Sequence, residues 1–315
     1  MPRERSSASS AKGSSASYHQ HPNVPLEAWE LYLRGRQLAY GESRRCLESA
    51  REMFVRAIEL EPRFALAWSG IADALAELYL FHVREESFRR GADEAASRAV
   101  ALDPALAAAH VSRAQAHVLR GEHEPAMTEF ETAIALDARS FDAHHLFARF
   151  LWTLGHGEAA VLHLERAAAI RPDAYEAAMA LTQLYFALGR ESDRHNAALR
   201  TNALTRKRLE VRPDDVRALC MSAEALYVLG DRDAAMRQIE RAYAIDPHDV
   251  CTLYNSACVF ALDGQLDRGA AAIEGAVAGG FTYREWLSND PDLALLRGHP
   301  DFQKMIGALP ALGGD

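Results

Sequence analysis

Cysteine is scarce in this chain. Four residues, Cys46, Cys220, Cys251 and Cys258, stand in 315, and no two form a C-x-x-C pair, which excludes the usual zinc and thioredoxin-type sites. Such sparse usage fits a reducing compartment. No apolar run is long enough to span a bilayer, and the N-terminus lacks the charged start and apolar core of a secretory signal. A cytoplasmic protein with no membrane partner is expected. Positive charge is also short: the net charge is −9, and no basic stripe is present to neutralise phosphates, so nucleic acid is not an expected partner. The phosphate loop G-x-x-x-x-G-K-[ST], the nucleophile elbow G-x-S-x-G and the zinc motif H-E-x-x-H are all missing. The 13 histidines show no convincing ligand spacing with carboxylates. No catalytic residue, metal or cofactor is expected.

What the chain does have is apolar surface and a period. Hydrophobic residues make up 49% of it and charged residues 25%, ordinary values for a folded soluble chain. Residues 1–23 stand apart. They are Ser-rich and nearly devoid of apolar side chains, and are expected to be a disordered head. From residue 24 the apolar residues fall at helical spacing. Gly121, Gly155 and Gly189 follow one another at intervals of 34 residues, and Gly230 and Gly264 repeat the interval. A fixed period of about 34 residues is the mark of stacked helical hairpins, each unable to bury its apolar face alone.

Seven such units fit into residues 24–281. Small residues recur inside them: Ala114, Ala148, Ala223 and Ala257 midway along the first helix, then Ala126, Ala160 and Ala235, then Ala133, Ala167, Ala242 and Ala276 along the second. Small side chains let antiparallel helices approach closely. Phe130, Leu164 and Ile239 fill the space toward the neighbouring unit. The glycines end first helices in a left-handed conformation, and Pro62, Pro104, Pro172, Pro213 and Pro247 stop second helices. The second unit carries an excess of about eight residues near Tyr79 to Glu86, expected between its helices. Residues 282–315 break the period. Asp290-Pro291 and His299-Pro300 read as helix starts, and Leu293, Leu295, Leu296, Phe302, Met305, Ile306 and Leu309 supply two short apolar faces, expected to cap the last hairpin.

These positions together resemble the tetratricopeptide repeat (TPR) over about residues 26–281, with departures at Ala138, where the family has proline, and at Thr182 and Thr201, which take alanine places. The resemblance implies an all-α, right-handed superhelical solenoid of about seven hairpins. Three stretches, AWELYLRGR at residues 28–36, LYNSACVFALDG at 253–264 and WLSNDPDLALLRGHPDF at 286–302, look like the TPR region of bacterial multidomain regulators: class III adenylyl cyclases, serine/threonine kinases and winged-helix transcription regulators. That narrower likeness implies a regulatory arm or sensor subunit in a bacterial signalling system.

In TPR arrays the first helices line a concave groove that holds a peptide or protein partner. Carried over residue by residue, the groove positions are Gln115 and Val118 in the third unit and Asp142, His145, Arg149 and Trp152 in the fourth. The fifth unit supplies Glu176, Met179, Gln183 and Phe186. Arg217, Cys220, Glu224 and Tyr227 follow in the sixth, and Cys251, Tyr254 and Cys258 in the seventh. Asn255 is added because co-chaperone TPRs grip a C-terminal carboxylate with paired Lys and Asn, although no Lys accompanies it here. Aromatic residues beside single charges suit a peptide anchor. The expected function is a non-enzymatic interaction scaffold.

Overall fold

A computed structural model describes residues 23–40 and 43–310; the Ser-rich head lies outside them. Each unit is a pair of antiparallel helices. They run as α1 Leu26–Ala39 and α2 Arg44–Leu60, α3 Ala65–Phe81 and α4 Glu86–Leu102, α5 Ala107–Leu119 and α6 His123–Leu136, and α7 Phe141–Thr153 and α8 Gly157–Ile170. After them come α9 Tyr175–Ala187 and α10 Glu191–Val211, α11 Val216–Val228 and α12 Arg232–Ile245, and α13 Val250–Leu262 and α14 Leu266–Ala278. The chain ends in α15 Arg284–Asn289, a 3-10 helix Pro291–Gly298 and α16 Pro300–Ala308. No strand occurs among the described residues. The architecture is an all-α solenoid.

The local chemistry explains the period. At the end of α7, Gly155 stands at φ 81°, its N–H donates to the Trp152 carbonyl, and the His156 N–H donates to that of Leu151. This paired closure needs a left-handed residue and satisfies carbonyls that the helix end would otherwise orphan. Ser140, Asp215, Asp231 and Asp249 accept from backbone N–H groups at helix starts, which stabilises each start by about 1 kcal/mol. The second helices that proline follows, α2, α4, α8, α10 and α12, end in an extended residue, the conformation favoured before proline. Asp137 takes the same φ −141° and ψ 92° with Ala138 after it, so the array holds this corner even without the ring.

The repeating alanines are the contact points. Ala114, Ala126, Ala133, Ala160, Ala167, Ala223 and Ala235 are fully buried. Thr201 and Thr205 are equally buried on α10, and their hydroxyls donate back to the Ala197 and Thr201 carbonyls at 3.0 and 2.9 Å. A small polar residue thus fills an alanine place without leaving a buried donor unpaired.

Two features differ from the sequence expectation. The excess in the second unit lengthens the helices instead of the connection: α3 and α4 have 17 residues each, against 13 and 14 in the next unit, with only residues 82–85 between them. The added turn of α3 carries Phe81 across the array. The second concerns the C-terminal helices. The 3-10 helix packs not only on α13 and α14 but on α9, and α15 touches α7. Leu287, Leu293 and Leu296 are fully buried, whereas Leu295 points to solvent.

The two ends of the array meet as a result. Phe81 contacts the rings of Phe281, Tyr283 and Trp286 at centroid distances of 5.5, 5.8 and 6.5 Å. One apolar cluster therefore contains the first two units, the last two and the C-terminal helices, while the third, fourth and fifth units build a second cluster.

Candidate functional site

The ninth residue of each first helix from α3 onward, Asp73, Gln115, Arg149, Gln183, Glu224 and Cys258, points to the concave side. Five of them make side-chain hydrogen bonds within this face. Asp73 accepts from Gln115 at 3.0 Å and from the Ser112 hydroxyl at 2.7 Å. Gln115 accepts in turn from Arg149 at 3.3 Å, and Arg149 also pairs with Glu77 at 2.6 Å. Burial pushes Asp73 up to about 7 despite the Ser112 hydrogen bond. The Arg149 guanidinium lies over Phe81, 5.3 Å from the ring centroid. A cavity of about 20 Å³ remains between Gln115, Val118, Arg149 and Tyr283, room for a water and no more.

Toward the starts of the first helices the face stays partly open. Asp142 pairs with Arg36 of α1 at 3.0 Å, a contact that spans three units, and 43% of its side chain is exposed. Burial alone would raise Asp142, but Arg36 outweighs it and holds the carboxyl below its usual range. His145 stacks on Phe141 at 5.3 Å, and the Arg171 guanidinium covers the other ring at 4.1 Å from its centroid. Burial, then Arg149 and Arg217, lower His145 to about 3, so it is neutral at physiological pH. Its Nδ1 is buried without a hydrogen-bond partner. Glu176, Arg217 and Trp152 are half-buried, Trp152 packing against the second apolar cluster.

The remaining stretch, over α9, α11 and α13, is covered by the chain itself. Gln183 Nε2 donates to Glu224 Oε2 and to Asp292 Oδ2, both at 3.2 Å. The Tyr254 hydroxyl donates to Asp290, accepts from Trp286 Nε1 at 2.7 Å, and its ring stacks on Phe281 at 4.8 Å. Tyr254, Glu224, Met179, Cys220 and Cys258 are buried. Of the other expected groove residues, Phe186 lies under the Arg194 guanidinium. Tyr227 donates to the Leu262 carbonyl at 2.5 Å. Asn255 is turned into its own helix, donating to the Cys251 carbonyl at 2.7 Å, which removes it from any carboxylate clamp. The four thiols are free, and no group of three or more His, Cys, Asp or Glu among the described residues could hold a metal.

Asp73 takes in α3 the ninth position that Gln115 and Arg149 take in α5 and α7, and that position could have found it; Glu77 lies one turn further along α3. Arg36, Arg171, Asp290 and Asp292 carry no such signal, because they reach the face from other units or from outside the period. On the opposite side, a trough of about 840 Å³ opens between α2 and α4 over Trp68, Ile71 and Leu75.

No protein-family model matches the chain, and no curated protein does. Solved structures do. A tetratricopeptide repeat protein from Parabacteroides merdae is 15% identical, with 87% of this chain and 98% of that one covered and a TM-score of 0.47. A thermophilic TPR protein of Thermus thermophilus is 22% identical over 64% of this chain and 99% of its own, at 0.48. The APC/C hetero-tetramer Cut9–Hcn1 is 14% identical over 92% of this chain and 50% of that one, at 0.54. The likeness is one of fold. Within this array the concave face is partly open toward the starts of the first helices and self-filled where residues 281–298 lie over α9, α11 and α13.

Proposed function

We propose that this chain is a non-enzymatic interaction scaffold that holds a peptide or protein segment on its concave face. One observation carries the reading: the face already grips a peptide. Residues 281–298 lie on it, held by side chains of two first helices, Gln183 of α9 and Tyr254 of α13, as a separate ligand would be. The open stretch along the starts of the first helices offers the same kind of wall. Asp142, His145, Glu176 and Arg217 keep part of their side chains exposed there, and rigid stacked helices have little ordering cost on binding. The likeness of residues 28–36, 253–264 and 286–302 to the TPR regions of bacterial regulators supports a partner that is a signalling enzyme or a transcription regulator.

The test is capture of partners by the full chain, identified by mass spectrometry, beside the variants His145→Ala and Arg217→Ala. Loss of a truncated contact that matters costs about 1–2 kcal/mol or more, so bound partner is expected to fall about tenfold. Undiminished capture by both variants, each with an unchanged melting temperature, would place the interaction on the outer surface, where the α2–α4 trough is the next site to mutate.

A further inference from the structure

Three carboxylates meet where the C-terminal helices cover the face. Glu224 comes from α11, and Asp290 and Asp292 from the start of the 3-10 helix. All three are buried, exposed by 1%, 2% and 4%. They bridge two parts of the molecule: Glu224 belongs to the wall, and the aspartates to the segment lying against it. The Gln183 amide nitrogen is shared between Glu224 and Asp292, and Glu224 Oε1 has no partner at all. Asp290 accepts from Tyr254 and, at 2.9 Å, from the Asp292 N–H, so it also caps the 3-10 helix.

The surrounding charges do not neutralise this cluster. On the segment itself, the Arg297 guanidinium donates to the Asp290 carbonyl at 3.0 Å, not to a carboxylate. From α10, Arg194 favours ionised Asp292, but its guanidinium is stacked on Phe186. From α11 and α13 the facing groups are Cys220 and Cys258, whose thiols burial keeps protonated, and Tyr254, whose hydroxyl donates to Asp290. On α14, Asp267 turns to His299 at 3.2 Å, and on α15 Glu285 faces Tyr283. Three negative charges in this wall would repel one another, with no cation among the described residues bonded to any of them.

We propose that residues 284–309 are a proton-linked latch on the concave face, docked while Glu224, Asp290 and Asp292 hold protons among them and released as these carboxylates ionise. The latch rests on the reading of that face as the interaction surface, and it decides when the second half of the face, with Gln183, Glu224 and Tyr254, is open to a partner. Burial first, then mutual repulsion, raises Glu224 and Asp290 well above the carboxylate range, and burial raises Asp292 to about 6. A carboxyl whose docked pKa exceeds its detached pKa favours docking below the ordinary carboxylate range. That advantage is lost as pH rises through the docked value. The hinge is the short link from Gly279 to Tyr283, and release removes the contact of α15 on α7 while the packing of α5 to α8 on one another stays in place.

Hydrogen exchange of the full chain between pH 4.5 and 8.5, corrected for intrinsic rates, reads the latch without any partner. Amides of the 3-10 helix and α16 are expected to lose protection by about tenfold per pH unit for each proton by which the docked and detached forms differ, from the ordinary carboxylate range upward, the Asp292 share being complete near pH 6, while α5 to α8 keep theirs. Glu224→Gln keeps the shape and removes one charge, and should flatten the slope; Asp292→Asn should flatten it below about pH 6 and serves if the first variant does not fold. Equal protection across the range, loss in α5 to α8 in step with the C-terminal helices, or an unchanged slope in the folded variant would overturn the latch. None of these outcomes depends on whether a partner is captured, so the latch and the scaffold reading fail separately.

Discussion

At Gly280 a single hydrogen atom in place of a side chain lets the two ends of the array touch. Its φ is 113°, a region that side chains avoid, and a Cβ there would run into the His82 carbonyl oxygen. Gly280→Ala therefore meets two costs, about 1–2 kcal/mol for the left-handed backbone and about 1–3 kcal/mol for overpacking. A fall in stability of at least about 2 kcal/mol by denaturant titration is expected, and a midpoint within error of the parent would refute this account of the junction. A second single-residue effect lies in the fourth unit. His144 and His163 face each other at 3.0 Å between their Nδ1 atoms, where one ring must be a donor and the other an acceptor. Burial lowers both, with His163 brought to about 4 by burial and by its neighbour. The fold thus binds protons less readily than the unfolded chain. Stability is full above the ordinary histidine range and declines as pH falls from about 6.5 toward 4. Melting temperatures over that range should show the decline, and His163→Ala should reduce its slope. The spacing of these histidines along the chain gives no hint of the pair, because they belong to α7 and α8 and meet only when the hairpin closes.

At the scale of the helix pair, the alanines and glycines were legible because their reason is local. Ala160 has no exposed surface and sits where α8 meets α7, so Ala160→Leu should overpack the hairpin and cost about 1–3 kcal/mol. An unchanged melting temperature would count against this contact. Boundaries were legible too, since the closing turns at Gly155 and its equivalents depend on residues within one turn. The excess of the second unit was legible only in amount. Whether eight residues lengthen a loop or two helices depends on what lies beyond them, and here Phe81 finds an aromatic site on the far side of the array. Asn255 shows the same limit: its residue type suggested a clamp, but its amide is satisfied within its own helix.

Over the whole molecule, closure rests on few contacts. Phe81→Ala removes a ring that meets Phe281, Tyr283, Trp286 and the Arg149 guanidinium. Loss of a buried phenylalanine costs about 3–5 kcal/mol in a packed core. The half-buried ring should cost less, about 1–3 kcal/mol, and small-angle scattering should show a wider array. A variant as compact as the parent would mean that the 3-10 helix alone holds the ends together.

The sequence by itself determined the repeating unit: its turns and small-residue contacts follow from interactions between residues close in the chain or one period apart. Tertiary structure alone decided how the concave face is used. Curvature accumulates from small rotations at each unit, and only their sum brings Arg36 to Asp142, Phe81 to Phe281 and Asp292 to Gln183. Those pairs lie too far apart in the chain for any local pattern to announce them.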